Sequence, residues 1–131
     1  MSEREPIWLT RQALVRAHYQ QLLEHGGLPG LRDDNGLESA LVRPRNLYWY
    51  DGERDLCALA AAYAFGIERN HPFADGNKRI GYVALETFLL RNGLYLEIDD
   101  AEIVTVMLRL AAGDLGEPEL VDWVKQHAVL V

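Results

Sequence analysis

Sulfur chemistry and long apolar runs are nearly absent from this sequence of 131 residues. There is one cysteine, Cys57, which excludes a disulfide framework and a cysteine-based zinc site. No uncharged apolar segment reaches the roughly 20 residues that a membrane-spanning helix needs. The stretch from Met1 to Pro6 is polar and charged and lacks the apolar segment of a signal peptide. We therefore expect a soluble, cytoplasmic protein without a membrane partner.

Basic residues are outnumbered by acidic ones. Lys and Arg total 13 and Asp and Glu total 20, which gives a formal net charge of −7. Such a surface repels nucleic acid and anionic lipid as a whole, so no direct nucleic-acid partner is expected. A local basic pocket for an anionic small molecule remains compatible with this charge. Apolar residues make up 49% and charged residues 25%, a globular composition that argues against disorder.

Helical periodicity dominates the chain, and we find no internal repeat, low-complexity tract or linker. The length fits a single domain over residues 1–131. We predict an all-α, compact bundle of about six helices with a small β-flap. Helices are predicted at about 11–25, 37–42, 55–70, 77–92, 99–112 and from 118 onward, with an extended segment at 94–98.

The flap is predicted over residues 46–55, after a short helix. Leu37 to Val42 is interpreted as a short helix that Pro44 ends. Asn46 to Tyr50 is aromatic and strand-like, and Asp51-Gly52 is typical of a turn. The three adjacent aromatic residues at 48–50 either contact a partner or cover the core. Partner contact is favoured, because three successive side chains of a strand cannot all point inward.

Chemistry is concentrated in nine residues, HPFADGNKR at positions 71–79, which join the two most apolar predicted helices. Gly76-Asn77-Lys78 begins a helix, and the unpaired N–H groups of a first helical turn make a ready phosphate site. Gly76 lets the backbone approach a ligand closely. Lys78 and Arg79 add two positive charges beside it. We infer an anion-binding cradle formed by Gly76, Asn77, Lys78 and Arg79.

Two more side chains of this segment suit catalysis. Asp75 is the nearest carboxylate and suits Mg²⁺ carried on a nucleotide phosphate. His71 lies at the end of a rigid helix, and its side chain can accept a proton near neutral pH. Phe73 is the predicted apolar anchor of the loop. These parts suit phosphoryl or nucleotidyl transfer to a hydroxyl. The sequence has no Walker-type loop, kinase Gly-rich loop or His-Arg-Asp triplet.

The string at 71–79 resembles the Fic/Doc signature, His-x-Phe-x-Asp/Glu-Gly/Ala-Asn-Gly/Lys-Arg, and lies between two predicted helices as that family requires. The resemblance extends from about Leu31 to Asn92. Residues 37–44 and 60–66 are similar to segments of the Doc branch, the death-on-curing toxins of type II toxin–antitoxin modules. Lys78 and Tyr82 also favour Doc, because Fic AMP-transferases usually have Gly and a second Arg at these positions.

The Doc resemblance implies a kinase that moves the γ-phosphate of ATP to a threonine of elongation factor Tu and stops translation. It implies that His71 is the base, that Asp75 holds Mg²⁺ and that residues 76–79 hold the phosphates. We find no inhibitory-helix string Ser/Thr-x-x-x-Glu-Gly/Asn, so inhibition is expected in trans from a small Phd-like antitoxin. The alternatives are AMP transfer in the Fic manner and a non-catalytic, antitoxin-binding module.

Other polar residues carry weaker signals. His18, His25 and His127 are interpreted as packed or helix-end side chains, because neither Cys nor carboxylate accompanies them at metal-ligand spacing. Arg43 and Arg45 either line the nucleotide site or are ordinary surface arginines. For residues 71–79 themselves, the alternative is a helix–helix turn without chemistry.

Overall fold

The computed structural model of the protein describes residues 4–131, so the polar start predicted at Met1–Pro6 is described only from Arg4. The described residues form six helices and a small antiparallel sheet, which confirms the predicted fold class. None of these helices has the length and apolar character needed to cross a bilayer. The elements in chain order are α1 Arg11–His25, α2 Asp34–Trp49, α3 Leu56–Asn70, α4 Asn77–Arg91, β1 Leu94–Leu96, α5 Asp100–Ala111, α6 Glu117–His127 and β2 Ala128–Leu130.

The centre of the bundle is α3, which packs between α2 and α4 and also contacts α5 and α6. Its residues from Leu59 to Ala64 are fully buried, as expected of a helix whose first three turns carry no charge. The carboxylate of Asp55 accepts a hydrogen bond from the backbone N–H of Cys57 and caps the helix as predicted. Cys57 is buried, and burial raises the pKa of its thiol to about 11. α3 therefore gives the adjoining loop a rigid base.

Polar caps set the starts of two other helices where the sequence predicts them. The Thr10 hydroxyl accepts a hydrogen bond from the N–H of Ala13 and begins α1. The Asp99 carboxylate accepts one from the N–H of Ala101 and begins α5. Each cap satisfies a backbone donor that has no partner inside its helix.

Residues 37–42 are helical as predicted, but the predicted helix end at Pro44 and the predicted strand at 46–50 are wrong. α2 does not end at Pro44 but continues to Trp49, so residues 46–50 form no strand and no flap. Pro44 removes one helical hydrogen bond, yet it is buried on the same face as Leu37, Ala40 and Leu41. Beyond the proline, Leu47 and Tyr48 pack against the core and stabilise the helix, because most helical stability in proteins comes from tertiary packing.

The aromatic residues at the end of α2 have three different environments. Tyr48 packs against the core and meets Trp8 edge to face at 5.6 Å. Trp49 also contacts Trp8, at 6.2 Å, while Tyr50 is 80% exposed. One ring thus covers the core, one is shared with the segment before α1, and one faces solvent.

The small sheet is formed by segments in the C-terminal part of the chain, and not by the residues predicted to form the flap. The segment at Leu94–Leu96 is extended as predicted, and it pairs with Ala128–Leu130 in antiparallel register, Tyr95 opposite Val129. The pairing joins residues more than 30 positions apart. No local pattern in β1 identifies β2 as its partner.

Candidate active site

The loop between α3 and α4 is anchored from inside by Phe73. This side chain is 1% exposed, and its ring stacks on the buried imidazole of His18 from α1, with centroids 3.8 Å apart. The Nε2 atom of His18 is also within hydrogen-bond distance, 2.8 Å, of the backbone oxygen of Asp75. Phe73 is the anchor that the sequence predicts, and His18 is a packed side chain, as predicted.

A second segment, residues 30–33, fastens the loop from outside. Leu31 and Phe73 form an isolated antiparallel bridge. The N–H groups of Arg32 and Asp33 both donate to the Pro72 carbonyl, at 2.7 and 3.0 Å, and the N–H of Ala74 donates to Gly30. The loop is thus held by a segment that lies about 40 residues before it in the sequence.

The side chain of Asn77 closes the loop. Its Oδ1 accepts from the Phe73 N–H at 3.1 Å, and its Nδ2 donates to the Phe73 carbonyl at 3.0 Å. Asn77 is only 9% exposed. Its amide is therefore committed to the loop, and what Asn77 presents to an anion is its backbone N–H in the first turn of α4.

Gly76 and Asp75 form the start of α4. Gly76 has a φ of 76°, the left-handed conformation that glycine adopts without strain. The Asp75 carboxylate accepts hydrogen bonds from the N–H groups of Leu28 and Gly76, at 3.2 and 2.9 Å. These two bonds lower the pKa of the Asp75 carboxyl, which keeps it ionised at neutral pH.

The Asp75 carboxylate fits a magnesium ion that arrives with phosphates. It is exposed and ionised, and each oxygen keeps a lone pair beyond its one backbone donor. Mg²⁺ commonly binds through one or two carboxylates plus substrate phosphates. Between residues 4 and 131, no group of three or more His, Cys, Asp or Glu side chains is arranged to hold a metal. The donor set therefore suits a nucleotide-borne metal.

A cleft of about 560 Å³ opens beside the first turns of α4, a volume typical of small-molecule sites. One wall carries Asp75 and the cradle residues 76–79, while α5 supplies an apolar wall that includes Ile103 and Met107. The Lys78 and Arg79 side chains are exposed. The cleft thus combines an anionic carboxylate and two cations with a surface for an apolar ring.

Neither Arg43 nor Arg45 lines this cleft. Arg43 forms a two-pronged ion pair with Glu117, and Arg45 donates to the Leu9 carbonyl at 3.1 Å. Both are structural arginines, which resolves the choice that the sequence leaves open. His25 lies at the cleft and ends α1.

His71 lies at the opposite end of the loop from the cradle. It is exposed, and it does not line the cleft. Its backbone is left-handed, with φ 44° and ψ 58°, and it is the one non-glycine residue with positive φ in the described chain. The structure therefore brings Asp75 and residues 76–79 together and leaves the imidazole on the rim.

Two residues near the site, Arg32 and Glu68, are not predicted from the sequence to have a role there. Arg32 lies in a segment predicted only as a loop, and its guanidinium reaches the backbone at the end of α3. Glu68 is 4% exposed, and neither carboxylate oxygen has a hydrogen-bond partner among the described residues. A Cβ at Gly81 would lie 2.8 Å from its Oε1, so glycine leaves room for the carboxylate. Burial raises the pKa of Glu68 to about 7, against the opposing effect of the Lys78 charge.

The fold and the candidate site define a helical bundle in which a carboxylate and a cationic helix start lie side by side on the loop between two central helices. The Fic/DOC family model matches residues 8–89, and the chain belongs to the Fic/Doc family. It is 27% identical over 118 residues to "Protein kinase doc" of Escherichia phage P1, covering 90% of this chain and 93% of that protein. It is 40% identical over 75 residues to "Toxin Doc" of Mycolicibacterium smegmatis, covering 56% of this chain and 58% of that protein. The resemblance to the Doc branch is confirmed.

Proposed function

We propose that this protein is a Doc-type toxin that transfers the γ-phosphate of ATP to a protein hydroxyl. A threonine of elongation factor Tu is the proposed target, and arrest of translation is the proposed result. The observation that carries the proposal is the cleft in which the ionised Asp75 carboxylate adjoins the cationic first turn of α4. The names of the two relatives, "Protein kinase doc" and "Toxin Doc", support the same reading.

The cradle residues bind the phosphates in this proposal. The backbone N–H groups at 77–79 have no helical partners, and the helix dipole adds positive potential at the same place. Lys78 acts as a point charge, and Arg79 can hold two phosphate oxygens at once. The apolar wall of α5 suits the adenine ring. Transfer then depends mainly on positioning and on charge stabilisation.

Asp75 would hold Mg²⁺, which when bound neutralises phosphate charge. His71 takes the proton of the target hydroxyl at its imidazole. A base that acts on another protein has to be reachable, and His71 meets this condition because it is exposed on the rim. The cleft that the cradle lines suits a small nucleotide, and the exposed imidazole suits a macromolecular acceptor.

A transfer assay tests the reaction and its direction. Purified elongation factor Tu and Mg²⁺ are incubated with the protein and with ATP labelled in either the α or the γ position. We expect label from the γ position only, and loss of transfer by about 100-fold or more in His71→Ala. Asp75→Ala is expected to lose transfer too, while Asp114→Ala, an exposed aspartate outside the cleft, keeps it.

Other outcomes separate the alternatives. Label from the α position would overturn the kinase reading in favour of AMP transfer. Growth arrest that persists in His71→Ala and Asp75→Ala would favour a non-catalytic module.

We further propose that a small Phd-like antitoxin inhibits the protein in the cytoplasm, where ATP and elongation factor Tu are found. Co-expression with a Phd-like antitoxin tests it. Relief of growth arrest together with a stable complex on gel filtration is expected. Unrelieved arrest with that antitoxin would contradict the proposal.

A further inference from the structure

His71 has an unusual backbone and no side-chain support. The backbone of His71 is left-handed, with a φ of 44°. This conformation is uncommon for residues other than glycine. Within residues 4–131, no hydrogen bond or ion pair holds its imidazole. The backbone turn therefore sets the place and the Cα–Cβ direction from which the ring projects. Whatever stabilises this turn controls where the imidazole is attached.

The guanidinium of Arg32 binds that turn. Its Nε donates to the His71 carbonyl at 2.8 Å, and its Nη2 donates to the Asn70 carbonyl, also at 2.8 Å. Carbonyls at the end of a helix have no helical donor, and a cation is favoured there by the helix dipole. The backbone N–H of Arg32 adds a third bond, to Pro72 at 2.7 Å. One residue thus contacts three successive carbonyls around the turn.

We infer that Arg32 is a positioning residue that holds the His71 turn, and with it the imidazole, in the orientation used for proton transfer. The inference rests on the proposed function for its kinetic consequence, but not for the conformational one. The planar, two-pronged guanidinium matches two neighbouring carbonyls, whereas a lysine ammonium is a single point donor. Arg32→Lys should therefore restore only part of what Arg32→Ala loses.

The cradle end of the loop provides an internal reference. Its backbone is held by Phe73, His18 and the Asn77 amide, and the hydrogen bonds of the Arg32 side chain go to Asn70 and His71 instead. Loss of Arg32 should therefore leave nucleotide binding intact while it disturbs the base. A general loss of folding would affect both together.

The test compares Arg32→Ala and Arg32→Lys with Arg16→Ala, which removes an exposed arginine of α1 outside the cleft. The chain has four histidines, so the His71 ring signal in NMR spectra is assigned by its absence in His71→Ala. In Arg32→Ala we expect that signal to shift or broaden. We also expect kcat to fall about 100-fold at unchanged KM for ATP, because a misplacement of ~1 Å can cost that much. Arg32→Lys should be intermediate, and Arg16→Ala should match the unsubstituted protein.

A folded Arg32→Ala with an unchanged His71 signal overturns the inference, as does an unchanged kcat. If Arg32→Ala does not fold, Arg32→Lys decides by the same two readouts. If the unsubstituted protein transfers no phosphate, the proposed function fails, and the His71 signal still decides whether Arg32 holds the turn.

Discussion

The loop between α3 and α4 has a left-handed residue at each end, and the two ends are built in opposite ways. At the α4 end the residue is Gly76, which adopts φ 76° without strain. At the α3 end it is His71, a residue with a full side chain at φ 44°. A non-glycine residue in this conformation costs about 1–2 kcal/mol. Strain of this kind persists where surrounding structure enforces it and often marks a functional side chain.

The two ends also differ in how their side chains are used. At the α4 end, the Asp75 carboxylate and the Asn77 amide are both bonded to backbone groups. At the α3 end, no hydrogen bond from the described residues holds the His71 imidazole, and Arg32, which is far away only in sequence, binds the backbone. A rigid cradle suits a ligand of fixed shape, and an exposed ring on a clamped turn suits an acceptor that arrives on another protein.

The largest expected effect on stability comes from removing Phe73, the buried side chain that anchors the whole loop. Phe73→Ala deletes the buried ring that stacks on His18, and we expect a loss of about 3–5 kcal/mol in the free energy of unfolding. Tyr50→Ala removes an aromatic ring that is 80% exposed and should change it by less than about 0.5 kcal/mol. Urea titration of both variants measures this difference. Equal losses would mean that Phe73 does not anchor the loop.

A second effect is a dependence of stability on pH, and it comes from the buried carboxylate of Glu68, which lies against Gly81 of α4. Because its pKa is raised to about 7, the folded protein keeps a proton that the unfolded chain releases from its ordinary value of 4.5 upward. Stability from this group therefore falls as pH rises between these values and levels off above 7.

Glu68→Gln measures this effect, because it mimics the protonated form. Between about pH 4 and about pH 8, we expect its stability relative to the unsubstituted protein to rise by about 3 kcal/mol. Urea titrations at both pH values test this, with Glu24→Gln on the exposed end of α1 as control. A difference that does not change with pH would show that Glu68 titrates normally.

The smallest effects sharpen the contrast between the two left-handed residues. Gly76→Ala should destabilise the fold by about 1–2 kcal/mol, because a Cβ is disfavoured at positive φ. The same preference applies at His71, so His71→Gly should be more stable than His71→Ala by about 1 kcal/mol. Thermal unfolding of the three variants gives both values. Equal stability of the two His71 variants would indicate that the turn relaxes when the imidazole is absent.

Local sequence features predicted much of this protein. The starts of α1, α3 and α5 follow from Thr10, Asp55 and Asp99, because a capping side chain bonds to a backbone donor two or three residues away. The buried position of α3 follows from its uncharged run. The segment at 71–79 predicted the loop and the family, because its residues lie within one loop and one helical turn.

The error at α2 has a different origin. Pro44 and the aromatic residues after it are local signals for a helix end and a strand, and both signals are real preferences. Tertiary packing outweighs them, because Leu47 and Tyr48, which follow the proline, pack against the core as part of the helix. A single sequence does not reveal this packing.

The sequence by itself determined the helical class, the helix caps and the chemistry of the 71–79 segment, because those depend on neighbours within about one helical turn. Only the tertiary structure decided the length of α2, the pairing of β1 with β2 and the burial of Glu68 against Gly81. It also decided that Arg32, 39 residues before His71, binds the turn from which the imidazole projects. These features depend on packing between distant segments, which no local pattern of residues specifies.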